Sequence, residues 1–159
     1  MERNNLDNLR HSCAHLLAAA VLTYYPKAKL TLGPAIENGF YYDIDFGSSA
    51  GSGQFSDKEF PKIEQKMHEL SKKWVKFEGT EIDSDEALKM FKGNEYKEEL
   101  IKSIVDKKEK ITVYKAGDFS DLCRGGHVDN PREQLKHFKL LSIAGAYWRG
   151  DEKNKMLTR

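Results

Sequence analysis

At 159 residues the chain is long enough to bury a core without disulfide or metal staples. Charged residues make up 32% against 39% hydrophobic ones, and no apolar run approaches the roughly 20 residues of a membrane span, which excludes a helical membrane protein and reads as a soluble, globular chain. A net charge of +1 excludes the global basic field that dominates non-specific nucleic-acid binding, so any polyanion partner has to be held locally.

No signal peptide precedes the first helix, and the two cysteines, Cys13 and Cys123, each stand among histidines. Ligand or catalytic use in a reducing compartment is expected over a disulfide, which places the chain in the cytoplasm. The first element is an apolar run from Leu6 to Tyr24 that Asn4 or Asn5 can cap. Leu6, Leu9, Cys13, Leu16, Leu17 and Ala20 repeat at three and four and form the core face of a helix. His11 and His15 lie roughly opposite that stripe with Ala18 and Leu22, so the helix is expected to be covered on both sides. At a spacing of four, both imidazoles can address one small object.

Pro26 ends this helix. Lys29 to Leu32 followed by Gly33-Pro34 reads as a short strand running into a turn, and beyond Asn38-Gly39 the aromatic run Phe40 to Phe46 predicts a strand paired with it as a hairpin. Tyr42 shares a face with Phe40 and Ile44 and reads as a core residue with a polar tip. Residues 47–56 are expected to be a flexible Gly/Ser loop without a phosphate-cradling pattern. Ser56 to Glu59 resembles a capping box ahead of an amphipathic helix through Phe60, Ile63, Met67 and Leu70, with His68 on its wet side.

Trp74 to Ile82 alternates as a strand, Asp83 or Ser84 caps a short helix through Phe91, and Glu95 to Val105 reads as a helix after Gly93-Asn94. Lys97, at its start, reads by composition as one solvated lysine among many. Ile111 to Tyr114 is a further strand, leading into Asp118 and then Asp121-Leu-Cys-Arg-Gly-Gly-His127, whose two glycines argue for a tight turn. Lys136 to Ile143 predicts a strand, Ala144 to Gly150 a closing strand or turn, and the rest is a charged tail. No segment repeats another.

His11, His15, Cys123 and His127 offer three nitrogens and one sulfur, as HxxxH on a helix and CxxxH in a turn, which suits zinc. The same residues permit a metal-free site: a histidine as general base for water, a partner histidine or Asp121 fixing its tautomer, and Lys97 or backbone amides stabilising an oxyanion. Cys–His nucleophilic catalysis is weaker, because no helix N-terminus follows Cys123 to lower its thiol pKa.

His11-Ser-Cys-Ala-His-Leu-Leu, Leu32-Gly-Pro-Ala-Ile-Glu-Asn-Gly-Phe-Tyr-Tyr-Asp-Ile-Asp, Asp121-Leu-Cys-Arg-Gly-Gly-His-Val and Ala144-Gly-Ala-Tyr-Trp-Arg-Gly-Asp resemble, in order and spacing, the editing domain of bacterial-type threonyl-tRNA synthetase. The likeness covers nearly the whole chain. Its HxxxH plus CxxxH core is shared with the editing domain of alanyl-tRNA synthetase, whereas the stretches ending in Asp43 and Asp151 look threonyl. The resemblance implies an α+β fold, an antiparallel sheet backed by helices in two layers, with a smaller α/β lobe at about residues 75–110 of a single domain, 1–159.

It also implies a proofreading hydrolase that cuts the ester of seryl-tRNA(Thr). The partners would be the tRNA(Thr) acceptor end carrying serine and the remaining domains of a synthetase, with no membrane. By that likeness His11, His15, Cys123 and His127 match the pocket, Lys97 its lysine, and Asp121 and Tyr42 positions contacting the aminoacyl end. No cofactor is expected, the cluster serving to organise water; zinc on His11, His15, Cys123 and His127 is the alternative. A zinc-dependent alanyl-type trans-editing deacylase and a non-catalytic tRNA-docking module are the competing functions. Gly126 stands where this family commonly has proline, which would loosen the turn that aims His127. The Gly47 to Gln54 loop looks longer than typical. The chain also starts just before the first helix and stops before any synthetic or anticodon-binding domain, which reads as an excised module, with a stand-alone protein as the alternative.

Overall fold

The computed structural model describes residues 5–47 and 55–159. Helix α1 (Asn5–Tyr24) is buried from His11 to Leu16 and again from Ala18 to Val21, because alanines at 14, 18, 19 and 20 let neighbours approach from several sides. The double covering expected from the sequence is present. The core stripe frays only at its start, where Leu6 is exposed. Asn5 is the first helical residue, and a cap from Asn4 lies outside the described residues.

Helix α2 (Phe60–Ser71) packs on α1 through Ile63 and Met67, both fully buried, and truncating either to alanine is expected to cost about 2–5 kcal/mol. His68 is exposed, as its helix face predicts, and stacks on Phe138. The capping box does not form. Ser56 is extended and makes no side-chain cap; Asp57–Glu59 is a 3-10 turn, and the Glu59 carboxylate instead accepts the Tyr25 hydroxyl at 3.4 Å. Of the expected Gly/Ser loop, residues 48–54 lie outside the described ones.

Among the described residues the strands make three antiparallel sheets. The first runs β1 (Lys29–Leu30), β4 (Ile44–Asp45), β9 (Met156–Thr158), β8 (Gly145–Tyr147); the second is the hairpin of β2 (Ala35–Ile36) and β3 (Gly39–Phe40); the third is β5 (Glu78–Ile82), β6 (Ile111–Ala116), β7 (Phe119–Leu122). Helices α3 (Ser84–Met90) and α4 (Glu95–Asp106) lie between β5 and β6 in sequence and pack with that sheet around Ala87, Ile101 and Ile111. Both start where capping chemistry predicts: Asp83 accepts the Glu86 N–H at 2.8 Å and Asn94 the Lys97 N–H at 3.2 Å. The α+β class, antiparallel sheets packed against helices, is the one the resemblance implied.

Several strands differ from expectation. Phe40 to Phe46 is not one strand but β3 and β4, joined by Tyr41 to Asp43. Pairing with the β1 side persists there, since Thr31 N–H donates to the Asp43 carbonyl and Asp43 N–H to that of Leu32. The bend brings the Tyr42 ring so close to Gly33 that an added Cβ would sit 2.2 Å from it, so this position excludes a side chain. Trp74 and Phe77 turn inward through aromatic contacts with each other and of Trp74 with Phe119, while Val75 and Lys76 stay exposed, and only Glu78–Ile82 pairs. Lys136 to Ile143 forms no strand, because it is pinned to α2 by Glu64, which accepts the Leu140 N–H at 3.0 Å. Conversely, β7 and β9 arise in segments read as turn or tail, and the one-turn helix α5 (Pro131–Gln134) in a stretch to which the sequence assigned no element.

Candidate active site

The two clusters singled out in the sequence meet because α1 and the turn after β7 are sewn together. His11 Nδ1–H donates to the Gly126 carbonyl at 2.9 Å and the Val128 N–H to Ser12 Oγ at 3.1 Å. Gly125 and Gly126 stand at φ 95° and 89°, left-handed conformations that let the chain reverse between Cys123 and His127. A proline ring cannot adopt the Gly126 value, so this turn takes a path a proline there could not share. Cys123 is fixed to β6 by its N–H on the Thr112 carbonyl and by the Thr112 hydroxyl on its own carbonyl.

The four ligand-type side chains form one compact group, their donor atoms all within 4.8 Å of one another. His15 Nε2 lies 3.1 Å from His11 Nε2, and Cys123 Sγ lies 3.5 Å from His11 Nε2 and 3.4 Å from His127 Nε2. A carbonyl only accepts, so His11 carries its proton on Nδ1, and His15 Nε2–H is the donor between the two rings. His15 Nδ1 is 3.2 Å from Asp121 Oδ2, an ion-pair contact whose angle falls outside hydrogen-bond geometry.

Behind this group lies a second, fully buried one. Lys97 is 1% exposed, contrary to the solvated reading its composition suggested. It reaches Asp121 Oδ1 at 2.7 Å, the Thr31 carbonyl at 2.8 Å and the Tyr42 hydroxyl oxygen at 3.1 Å, while the Tyr42 O–H donates to Asp121 Oδ2 at 2.5 Å. Tyr42 is therefore the core residue with a polar tip that the sequence suggested, its ring buried and its hydroxyl held between Asp121 and Lys97.

The electrostatics follow from burial set against these contacts. Burial pushes the Asp121 carboxyl up, but Lys97 and His15 outweigh it and hold it well below the usual carboxylate range. Burial disfavours the charged His15 ring, yet Asp121 and Cys123 overcome that and raise its pKa to about 9. Burial likewise opposes a Cys123 thiolate, and the hydrogen-bond contacts of its sulfur with the imidazoles of His11, His127 and His15 reverse this, bringing it down to about 4. Those imidazoles thus do what a helix N-terminus was thought necessary for. Burial lowers the pKa of His127.

An open cleft of about 860 Å³ reaches this site, and His11, His15, Tyr42, Lys97, Asp121 and Cys123 line it. His127 does not. Its ring stands behind Cys123, stacked on Phe77 at 4.2 Å and beside Tyr114 at 4.6 Å. Sequence reasoning missed the supports: the Thr31 and Gly126 carbonyls, which no side-chain pattern betrays, and Asn94, legible only as a cap.

The donor chemistry fits a metal ion. The Nε2 atoms of His11, His15 and His127 converge with Cys123 Sγ, and Nδ1 of His11 is tied to a carbonyl while that of His15 faces a carboxylate, the outer contacts a ligating histidine needs. None of the helices among the described residues is long and apolar enough to cross a membrane.

Residues 111–159 match the family described as the threonyl and alanyl tRNA synthetase second additional domain. The chain is similar to the threonine–tRNA ligase of Rubrobacter xylanophilus, 48% identical over 151 residues covering 95% of this chain and 22% of that protein. It is 50% identical to that of Acholeplasma laidlawii over 151 residues, again 95% of this chain and 22% of the relative, and 49% identical to that of Thermotoga petrophila over 152 residues, 94% and 23%. The chain therefore spans under a quarter of the length of these relatives.

Proposed function

This chain belongs to the family of threonyl- and alanyl-tRNA synthetase second additional domains, on the threonine–tRNA ligase side of it, and from that premise we propose that it hydrolyses the ester of seryl-tRNA(Thr). The observation that carries the reading is the continuous chain of contacts from buried Lys97 through Asp121 to His15, ending at His11 and Cys123 on the cleft wall. A docking module has no use for a charge relay of that kind.

In this reading a water beside His11 Nε2 attacks the ester carbonyl. His11 Nε2, exchanging the N–H it accepts from His15 for the O–H of the water, takes the proton as the new C–O bond forms and returns it to the ribose oxygen as the ester C–O bond breaks, leaving free serine and the ribose hydroxyl. His15, held as an imidazolium, and Lys97 supply positive charge near the developing oxyanion in a water-poor setting. All three Lys97 N–H donors are occupied by Thr31, Tyr42 and Asp121, so its charge acts through Asp121 and the field rather than by a bond to substrate. Cys123 as thiolate lowers the cost of keeping His15 charged.

Such a site answers a physical need, since rejecting serine for the lack of one methyl gains a synthetic site only about 1–3 kcal/mol. Attraction cannot sort two substrates that share the hydroxyl. The wall at His15, Asp121 and Cys123 sorts by exclusion: admitting the extra methyl overpacks it by about 1–3 kcal/mol and shifts the carbonyl from the water. The partners in this reading are the tRNA(Thr) acceptor end and the other domains of a cytoplasmic synthetase.

A zinc-dependent, alanyl-type deacylase is the second reading, favoured by the converging nitrogens with their tied outer atoms. His11, His15, Cys123 and His127 would hold the ion, which would supply Lewis acidity and an acidic bound water. Hydrolysis of seryl- and threonyl-tRNA(Thr), with metal content measured on the same sample, separates them. Seryl-selective hydrolysis at substoichiometric zinc, unaffected by chelators, supports the first reading; about one zinc per chain with chelator-sensitive activity supports the second.

A further inference from the structure

A lysine buried to 1% exposure has to satisfy three donors at once, and Lys97 does so on partners from β7, from the residue after β1 and from Tyr42. That fit depends on where α4 begins relative to β1. Asn94, the residue before α4, uses both ends of its amide: Oδ1 accepts the Lys97 backbone N–H at 3.2 Å, and Nδ2–H donates to the Leu30 carbonyl at 2.8 Å. The next carbonyl along that strand is Thr31's, which accepts the Lys97 Nζ. One side chain thus joins the backbone that launches the lysine to the strand that receives it. Capping requires only the acceptor end. The helix is also held independently, since the Glu99 carboxylate accepts Trp148 Nε1–H at 2.8 Å and Arg149 Nε–H at 2.9 Å.

We propose that Asn94 is a positioning residue of the site, its amide N–H to Leu30 setting the register of α4 against β1 so that Lys97 reaches Asp121. The proposal rests on the reading of Lys97 given above.

Serine and aspartate cap helices about as well as asparagine. Aspartate has no donor for the Leu30 carbonyl, and the single oxygen of serine cannot serve both partners, so Asn94→Asp and Asn94→Ser keep the cap and remove the tie. Two readouts apply to each: single-turnover hydrolysis of seryl-tRNA(Thr), and the rate at which Lys97 is acetylated by a small anhydride, followed by mass spectrometry. We expect thermal midpoints close to wild type, turnover slowed about tenfold or more at unchanged KM, and Lys97 modified several times faster. Wild-type protection of Lys97 in both variants overturns the proposal whatever the activity, as does wild-type turnover in both. If the wild-type chain fails to hydrolyse the ester, the functional reading falls, while the acetylation rates still decide the register.

Discussion

Two Tyr–Asp–Lys clusters of the same chemistry stand among the described residues. In one, the Tyr42 hydroxyl and Lys97 meet on Asp121; in the other, the Tyr96 hydroxyl donates to Asp45 at 2.7 Å and Lys155 reaches the same carboxylate at 2.9 Å. The second joins α4 to β4, an inner strand of the first sheet, and its lysine side chain is 53% exposed. The first is sealed, and the carboxylate oxygen that accepts its tyrosine hydroxyl also lies 3.2 Å from a histidine that faces a cleft. A carboxylate that finishes its business within its own cluster is a clamp. One that passes its charge on to an imidazole is part of a site, and burial is what makes the passing efficient.

The largest difference to measure lies where the first cluster's charge ends. Cys123, brought down to about 4, is a thiolate at neutral pH, whereas burial pushes Cys13 up to about 12. Iodoacetamide should therefore modify Cys123 at a rate nearly flat above about pH 5 and leave Cys13 untouched in the folded chain, a contrast of about 10³ or more. Equal labelling of the two would mean that the network does not reach the thiol.

Stability should separate the clusters next. Lys97→Met strands a buried carboxylate and is expected to cost about 3–5 kcal/mol in urea unfolding, against about 0–1 for Lys155→Met. Similar losses would erase the distinction. The tyrosines sharpen it further: Tyr42→Phe and Tyr96→Phe each remove a hydroxyl bonded to a carboxylate, worth about 1.5–3 kcal/mol, but only Tyr42→Phe should slow ester hydrolysis.

What the sequence could show divides along the same line. His11 and His15 were legible because a spacing of four fixes their shared face whatever surrounds the helix, and α3 and α4 because Asp83 and Asn94 announce their starts. Lys97 was legible only through the family resemblance and not through composition, since its burial depends on Asp121 arriving on β7, a strand too short to show a pattern and read as part of a turn. The Asp45 clamp left no trace at all: its members come from β4, α4 and the loop before β9, and only long-range pairing joins them. Carbonyl supports such as those of Thr31 and Gly126 carry no residue signature, so a site reads from sequence as a set of ends without the frame that aims them.

The smallest expected effect is a pH dependence of the clamp. Burial pushes the Asp45 carboxyl up, but Lys155, Tyr96 and the Gly47 N–H outweigh it, and its pKa is lowered from the ordinary value. A depressed pKa contributes stability that is complete above the unfolded value near about 4 and is lost as pH falls through the folded one. Asp45→Asn should therefore cost about 1 kcal/mol at pH 7 and less in strongly acidic solution, with ester hydrolysis at pH 7 unchanged. A loss that grows on acidification would reverse the assigned sign.

Whether the sealed cluster serves a proofreading reaction is tested most directly by single-turnover deacylation of seryl-tRNA(Thr) beside threonyl-tRNA(Thr), in wild type and in His11→Ala. Rapid loss of the seryl ester, a spared threonyl ester, and a drop of about 10²–10⁴-fold in His11→Ala with the fold intact are expected. Equal rates on the two esters, or wild-type hydrolysis by His11→Ala, would contradict that role.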